Sequence, residues 1–192
     1  MKTIILPGYS EHNLEWADGV AKELSINGLQ TTVHHWLHWP TAQRASGLWR
    51  KDTQEELNIT SGSMAKARMS LKTELERIRQ EIDSEKINII AKSVGVYVAL
   101  KLVPRINDQI NKIVLCGIAS VASNDRADLV KILTTTVSVD NILCIQNEND
   151  VFVTFAQAEM FYHSVIPKLK VISKPRSDHN YPYPDDFIKF LK

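Results

Sequence analysis

Short apolar runs alternate along the chain with longer stretches in which apolar residues recur every three or four positions. Short runs rich in β-branched residues are typical of buried strands, and the longer period is typical of helices that pack on one face. Six strands are predicted, near residues 3–6, 30–36, 87–90, 112–116, 141–145 and 169–173. Helices are predicted between them, near residues 13–27, 63–83, 94–103, 124–136, 154–165 and 184–191.

The alternation of strands and helices indicates the fold class. It predicts an α/β protein with a doubly wound, mostly parallel β-sheet of about six strands flanked by helices. No repeat, linker or low-complexity tract divides the chain, so residues 1–192 are expected to form one domain. Residues 37–62 have no clean period and contain Trp39 and Trp49, and we expect part of this stretch to cover or line a pocket.

Composition narrows the classes of function. The formal charge is +1, with 23 basic and 22 acidic side chains mixed along the sequence, which argues against a nucleic-acid or anionic membrane surface. The apolar run at residues 4–6 is too short for a signal peptide or a spanning helix, so a cytoplasmic location is expected. Cys116 and Cys144 lie in strand-like runs without a metal-binding spacing and are interpreted as reduced core residues.

Residues 87–102 combine a predicted strand, a tight turn and an apolar helix, with Ser93 at the junction. Small residues, Ala91 and Gly95, lie two positions before and two positions after the serine. This is what a strained strand-to-helix turn requires when it exposes a serine hydroxyl and leaves no room for larger neighbours. The stretch resembles the nucleophile elbow of the α/β-hydrolase superfamily, with Ala91 where the commoner pattern has Gly.

Two further residues follow predicted strands at the positions that this chemistry needs. Ligands of parallel sheets bind beyond the carboxyl ends of the strands. Asp150 follows the fifth strand and His179 follows the sixth, so the order Ser, Asp, His is that of the superfamily. Helix capping and turn formation are the simpler explanations of Ser93 and Asp150, and Glu148 and Asp140 are the alternative acids. Asp178 adjoins His179 but would point away from its ring.

The resemblance implies a role for each of these residues. Ser93 would be the nucleophile, His179 the general base and Asp150 the acid that orients the imidazole. The segment Pro7-Gly8-Tyr9 resembles the superfamily's His-Gly-x loop, with Pro7 in place of His. The backbone N–H groups of Tyr9 and Val94 would then form the oxyanion hole. A simple turn that ends the first strand is the other interpretation of this loop.

The number of residues between the fourth and fifth predicted strands indicates which subgroup of the superfamily the chain resembles. Residues 117–140 have room for one helix and not for a cap domain, so an open site is expected. The chain resembles small, cap-less serine hydrolases, among them the retinoblastoma-binding serine hydrolases.

The segment from His34 to Trp39 holds three histidines and two tryptophans. A metal site is one interpretation, but no carboxylate or thiol lies nearby in the sequence, and adjacent residues of a strand point to opposite faces. An aromatic wall of the substrate pocket, built from Trp36 and Trp39, is the preferred interpretation, and no metal is expected. Lys92 is expected to expose its stem beside the site.

Together these residues predict a serine hydrolase that cleaves carboxylic esters of small molecules through an acyl-enzyme, without a cofactor. A non-catalytic protein-interaction module that retains the α/β-hydrolase scaffold is the alternative, because a fold does not determine a function. A nucleotide-binding domain would share the fold class, but Gly8 alone does not make a phosphate-binding loop.

Overall fold

A computed structural model of the chain describes residues 1–39, 69–82, 86–121 and 137–192, together with Ala127 and Leu129. Its described strands are β1 (Lys2–Leu6), β2 (Gln30–Val33), β3 (Ile87–Lys92), β4 (Ile110–Cys116), β5 (Ile142–Asn147) and β6 (Lys170–Lys174). Its described α-helices of at least two turns are α1 (Asn13–Ile26), α2 (Leu71–Glu81), α3 (Val94–Leu102), α4 (Phe155–His163) and α5 (Pro184–Leu191).

The six strands form one sheet in the order β2-β1-β3-β4-β5-β6, and every neighbouring pair is parallel. The predicted α/β fold class is therefore confirmed. The chain moves outward from β1 to β2 and then crosses back to place β3 on the other side of β1. At such a reversal the loops after the two central strands separate and leave a crevice in which ligands bind. The carboxyl ends of β1 and β3 therefore frame the candidate site.

Helices cover both faces of the sheet. Successive residues of a strand point to opposite faces. Ile90 and Val114 pack with α1 and α5, whereas Ile89 and Ile113 pack with α2, α3 and α4. Burial on both faces explains why the inner strands β3 and β5 are mostly apolar runs rather than alternating ones. Within the described ranges, no helix combines the length and apolar character that crossing a bilayer requires.

Two predicted boundaries are wrong by three residues or more. β2 ends at Val33 rather than at residue 36, although the backbone N–H of His34 still donates to Ile5 O at 2.9 Å. Beyond that point the chain turns so that Trp36 O accepts the N–H of Trp39. Helix α2 begins at residue 71 because Ser70 is extended and its hydroxyl caps the first turn. Residues 63–68, most of 124–136 and residues 40–62 lie outside the described part of the chain.

Gly95 permits the closest approach between α3 and the sheet. A Cβ atom at this position would lie 2.1 Å from Leu6 O and 2.9 Å from Pro7 O, so both obstacles are backbone atoms. The end of β1 therefore packs directly on the first turn of α3. This contact explains in physical terms why the elbow needs a small residue two positions after Ser93.

The substitution Gly95→Ala is expected to destabilise the protein by about 3 kcal/mol, because a methyl group there displaces backbone rather than a flexible side chain. The same substitution at Gly19, in the middle of α1, is the matched control. A Cβ atom at Gly19 meets nothing within 4 Å, so the gain in helix propensity should stabilise the protein by about 1 kcal/mol. Urea unfolding of both variants checks the prediction, and equal effects at the two sites would contradict it.

Candidate active site

Ser93 lies between the end of β3 and the start of α3 in a strained backbone conformation. Its φ is 57° and its ψ is −120°, and among the described residues it is the one non-glycine residue with positive φ. Its backbone N–H is shared between Cys116 O and Gly117 O, at 3.1 Å each. Ala91 is buried without positive φ, so alanine fits the position where glycine is commoner. Strain of this kind persists only where the surrounding structure enforces it.

His179 and Asp150 are joined by a direct hydrogen bond between their side chains. Nδ1 of the imidazole lies 2.6 Å from Oδ2 of the carboxylate, although the residues are 29 positions apart in the chain. A carboxylate only accepts hydrogen bonds, so Nδ1 carries the proton and donates it. In the neutral ring Nε2 then holds the basic lone pair. That atom is buried and has no hydrogen-bond partner within the described structure.

The Asp150 carboxylate accepts three other hydrogen bonds. Oδ2 accepts the Tyr181 hydroxyl at 2.6 Å, and Oδ1 accepts the backbone N–H groups of Phe152 at 2.9 Å and Val153 at 3.5 Å. Burial by itself would raise the pKa of Asp150, but the hydrogen bonds from His179, Tyr181 and Phe152 outweigh it and lower the pKa. The acid therefore remains an anion facing the imidazole.

Tyr181 is a member of this arrangement that the sequence reasoning missed. Its hydroxyl accepts the backbone N–H of Asn147 at 3.2 Å while it donates to Asp150. Its ring lies edge-on to the His179 ring, with centroids 5.7 Å apart. An aromatic residue two positions after a predicted base has no sequence signature. The contact of Tyr181 with Asp150 depends on the packing of the loop after β6 against the end of β5.

Contacts of Gly117 link the backbone of Ser93 to Tyr181, although the Nε2 atom of His179 forms no hydrogen bond to Ser93. The Ser93 N–H donates to Gly117 O, and a Cβ atom at Gly117 would lie 2.4 Å from the Tyr181 ring. Gly117 adopts φ of 64°, which a residue with a side chain would rarely adopt. The loop after β4 thus fits between the elbow and the tyrosine that contacts both Asp150 and His179. The predicted Ser93, Asp150 and His179 all lie at this edge of the sheet.

The loop after β1 is held by an aromatic segment that follows β2. The indole N–H of Trp36 is shared between Pro7 O at 3.2 Å and Gly8 O at 3.1 Å. Tyr9 O accepts the indole N–H of Trp39 and His38 Nε2–H, both at 2.7 Å. Trp36 and Trp39 are 0% and 1% exposed. Their predicted role as a wall of the substrate pocket stays a prediction, whereas their observed contacts are with the backbone of this loop.

Lys92 was expected to be exposed, and that prediction is wrong. Its side chain is buried on the α1 face of β3, where Nζ donates to Asn13 Oδ1 at 2.7 Å and lies 5.2 Å from the centroid of the Trp16 ring. Burial lowers the pKa of its ammonium group. Because successive side chains of a strand point to opposite faces, Lys92 points to the face of the sheet that α1 covers and not into solvent beside Ser93.

Two carboxylates of α2 contact His34, although neither of them is close to it in the sequence. His34 Nδ1 lies 2.9 Å from Glu81 Oε1, and Nε2 lies 3.0 Å from Glu74 Oε2. Glu74 also accepts Arg77 Nη1 at 2.7 Å and the Leu37 N–H at 2.7 Å. Two carboxylates on the two ring nitrogens require both nitrogens to donate, so the imidazole is positively charged. No group of three candidate metal ligands occurs among the described residues.

His34 makes the stability of this region dependent on pH. Burial would lower its pKa, but Glu74 and Glu81 together raise it above 6.5. A raised pKa contributes stability that is fully present below the unfolded value and is lost as the pH rises through the folded value. We expect His34→Gln to cost about 3 kcal/mol near pH 6 and less near pH 9. Urea unfolding at both pH values tests this, and a pH-independent difference would contradict it.

Comparison with known proteins gives similarity of fold. No family model and no curated protein matches the sequence. Among solved structures, a predicted CIB-like hydrolase from Thermoplasma acidophilum is 20% identical, with a TM-score of 0.64 over 99% of this chain and 83% of the other. XC6422 from Xanthomonas campestris, an α/β serine hydrolase without a lid, is 14% identical, with a TM-score of 0.59 over 99% of this chain and 78% of the other.

A third similar structure is MGS-MChE2, an α/β hydrolase from the metagenome of lagoon sediments of Mar Chica, Morocco. It is 17% identical, with a TM-score of 0.60 over 99% of this chain and 88% of the other. The resemblance to retinoblastoma-binding serine hydrolases stays a prediction. The parallel sheet with its reversal at β1, the strained serine after β3 and these structural similarities identify the chain as a protein with the α/β-hydrolase fold.

Proposed function

We propose that this protein is a serine hydrolase that cleaves carboxylic esters of small molecules through an acyl-enzyme. The observation that carries the proposal is the Asp150–His179 pair, in which the proton on Nδ1 leaves a basic Nε2 that has no partner among the described residues. A serine hydroxyl reacts at neutral pH only when a base takes its proton, and this nitrogen is such a base. Ser93, at the same sheet edge, is the hydroxyl that it serves.

The reaction follows from these groups. Ser93 Oγ attacks the acyl carbon, and its proton passes to His179 Nε2. The negative oxygen of the tetrahedral intermediate accepts hydrogen bonds from the Val94 and Tyr9 N–H groups, and the first of these lies at the N-terminus of α3, where the helix dipole favours negative charge. The intermediate collapses, the carbon–oxygen bond to the alcohol breaks, and His179 protonates the departing alcohol.

Water completes the cycle. His179 Nε2 takes a proton from water, whose oxygen attacks the acyl carbon of the acyl-enzyme. Collapse of the second intermediate breaks the bond to Ser93 Oγ, releases the carboxylic acid and returns the proton to the serine. The Asp150 anion stabilises the imidazolium that forms in each half-reaction. No step in this scheme requires a cofactor.

The surroundings of the imidazole favour an apolar substrate. Phe152 is largely exposed, and its ring lies edge-on to the His179 ring with centroids 4.7 Å apart. Val151 beside it is also largely exposed. Binding sites for small molecules are mostly apolar with a few polar groups, and these two side chains offer such a surface next to the reacting atoms. The proposed substrate is therefore an ester with an apolar group.

Covalent labelling tests the proposal. A fluorophosphonate probe should phosphonylate Ser93, with fluoride as the leaving group and the serine proton passing to His179. Labelling should vanish in Ser93→Ala and His179→Ala and persist in Ser120→Ala, which removes a hydroxyl from the loop after β4. Peptide mass spectrometry locates the adduct. Failure of the folded wild-type protein to react would overturn the proposal and favour the alternative of a non-catalytic interaction module.

A further inference from the structure

We infer that Trp36, His38 and Trp39 are positioning residues of the oxyanion hole, because their ring N–H groups hold the three consecutive carbonyls of residues 7–9. This inference rests on the proposed function and adds to it the residues that orient one of the two oxyanion donors. The first argument is that all three side chains donate to the same short loop.

Peptide geometry turns these bonds into a constraint on the donor. In a trans peptide the C=O of one residue and the N–H of the next lie in one plane and point in opposite directions. The peptide between Gly8 and Tyr9 has its carbonyl bound by the Trp36 indole at 3.1 Å. The Tyr9 N–H in the same plane therefore points away from the aromatic segment. The Trp36 indole thereby sets the direction of the N–H that would meet the substrate oxygen.

All three rings donate hydrogen bonds to the loop, so they hold it only when its carbonyl groups face them. An indole N–H donates and never accepts, so Trp36 and Trp39 can bind the loop only through its carbonyls. His38 donates from Nε2 to Tyr9 O at 2.7 Å, and its buried Nδ1 has no partner in the described structure. The His38 ring also stacks on the Tyr9 ring, with centroids 4.3 Å apart. A loop turned the other way would present N–H groups to these donors and lose all four bonds.

The aromatic segment is itself anchored. The Trp36 ring lies edge-on to His34, with centroids 4.6 Å apart, and His34 is held by Glu74 and Glu81. Glu74 accepts the Leu37 N–H as well. Helix α2 therefore fixes the segment, and the segment fixes the loop. Preorganised donors are what make an oxyanion hole effective, because they need no rearrangement when charge develops.

Three substitutions test the inference. Trp36→Phe and His38→Phe keep an aromatic ring and remove the donor, whereas His38→Gln retains an amide N–H close to the place of Nε2. Tyr162→Phe is the matched control, since it removes one polar atom from a fully buried aromatic residue whose ring contact is with Phe161. Measurements are kcat and KM for p-nitrophenyl butyrate, the rate of phosphonylation of Ser93 and the melting temperature.

Removing one oxyanion donor lowers kcat by about 10²- to 10³-fold, so misdirecting one should lower it by about 10- to 100-fold in Trp36→Phe and His38→Phe. KM should stay within about threefold, because the lost interaction forms only in the transition state. Phosphonylation should slow in parallel, and His38→Gln should recover most of the loss. Tyr162→Phe should lower the melting temperature without changing kcat.

The outcomes separate the two proposals. A wild-type protein that reacts at Ser93, with Trp36→Phe and His38→Phe retaining its kcat, would overturn the positioning role and leave the serine hydrolase proposal standing. A loss of kcat equal in all variants, Tyr162→Phe included, would show a general structural effect and also overturn it. A folded wild-type protein without reaction at Ser93 would overturn both.

Discussion

Ser93→Ala is expected to lower kcat for ester hydrolysis by about 10⁶-fold, the size of loss that follows when the nucleophile of such a triad is removed. The proposed proton acceptor and oxyanion donors remain in the variant, but no serine oxygen is left to form an acyl-enzyme. KM should change little, because the missing atom acts in the chemical step. Steady-state turnover of p-nitrophenyl butyrate at high enzyme concentration measures the effect.

Stability provides the control for this variant. Alanine must adopt the same strained φ of 57° as the serine, so Ser93→Ala should unfold at nearly the wild-type urea concentration. Ser93→Gly relieves the strain and should be more stable than Ser93→Ala by about 1 kcal/mol while being equally inactive. Turnover in either variant above one thousandth of the wild-type rate would argue against Ser93 as the nucleophile.

Asp150→Asn is expected to lower kcat by about 10⁴-fold by reversing the tautomer of His179. The backbone N–H groups of Phe152 and Val153 donate to Oδ1, so the side-chain oxygen of the amide must occupy that position. Its NH₂ group then faces Nδ1 of the imidazole and donates to it. The ring proton moves to Nε2, where no lone pair is left to accept the serine proton. Steady-state kinetics across pH checks this prediction.

Asp178→Asn is the matched control, because Asp178 adjoins His179 but pairs with Arg176 at the surface. Its turnover should stay within about threefold of wild type.

The stability of Asp150→Asn supplies a second readout. The lowered pKa of Asp150 contributes stability that is present above the unfolded pKa of 3.8 and is lost as the pH falls through the folded value. The free energy of unfolding of Asp150→Asn should therefore differ most from that of the wild type at neutral pH. Equal effects of Asp150→Asn and Asp178→Asn on kcat would contradict the assignment of Asp150 as the acid that orients His179.

The order of elements was predictable because the inner strands β3 and β5 are buried on both faces. Runs such as 87–90 and 142–145 must be apolar throughout to pack between two layers of helices, and this is visible in the sequence. The ends of elements were less predictable. Capping by Ser70 decided where α2 begins, although the apolar period continues before it. β2 ends at Val33, and beyond it the Trp36 indole donates to the carbonyls of Pro7 and Gly8. This contact depends on the loop after β1, which is far from Trp36 in the chain.

The candidate site divides in the same way. Ser93, Asp150 and His179 follow the carboxyl ends of β3, β5 and β6, so their place at one edge of the parallel sheet follows from the fold class. The contact of Tyr181 with Asp150 joins residues 31 positions apart and has no signature in the sequence. Residue type alone gave the wrong environment for Lys92, which is buried against Trp16.

By itself the sequence determined the α/β fold class, the strand ends that carry the candidate residues and the small residue that the elbow requires. Those features are local or periodic, and a single chain displays them. Tertiary structure decided which polar groups meet, namely the loop carbonyls with the aromatic segment and His34 with two glutamates of α2. Such pairs depend on distances between elements, and a distance of 3 Å is set by packing rather than by position in the chain.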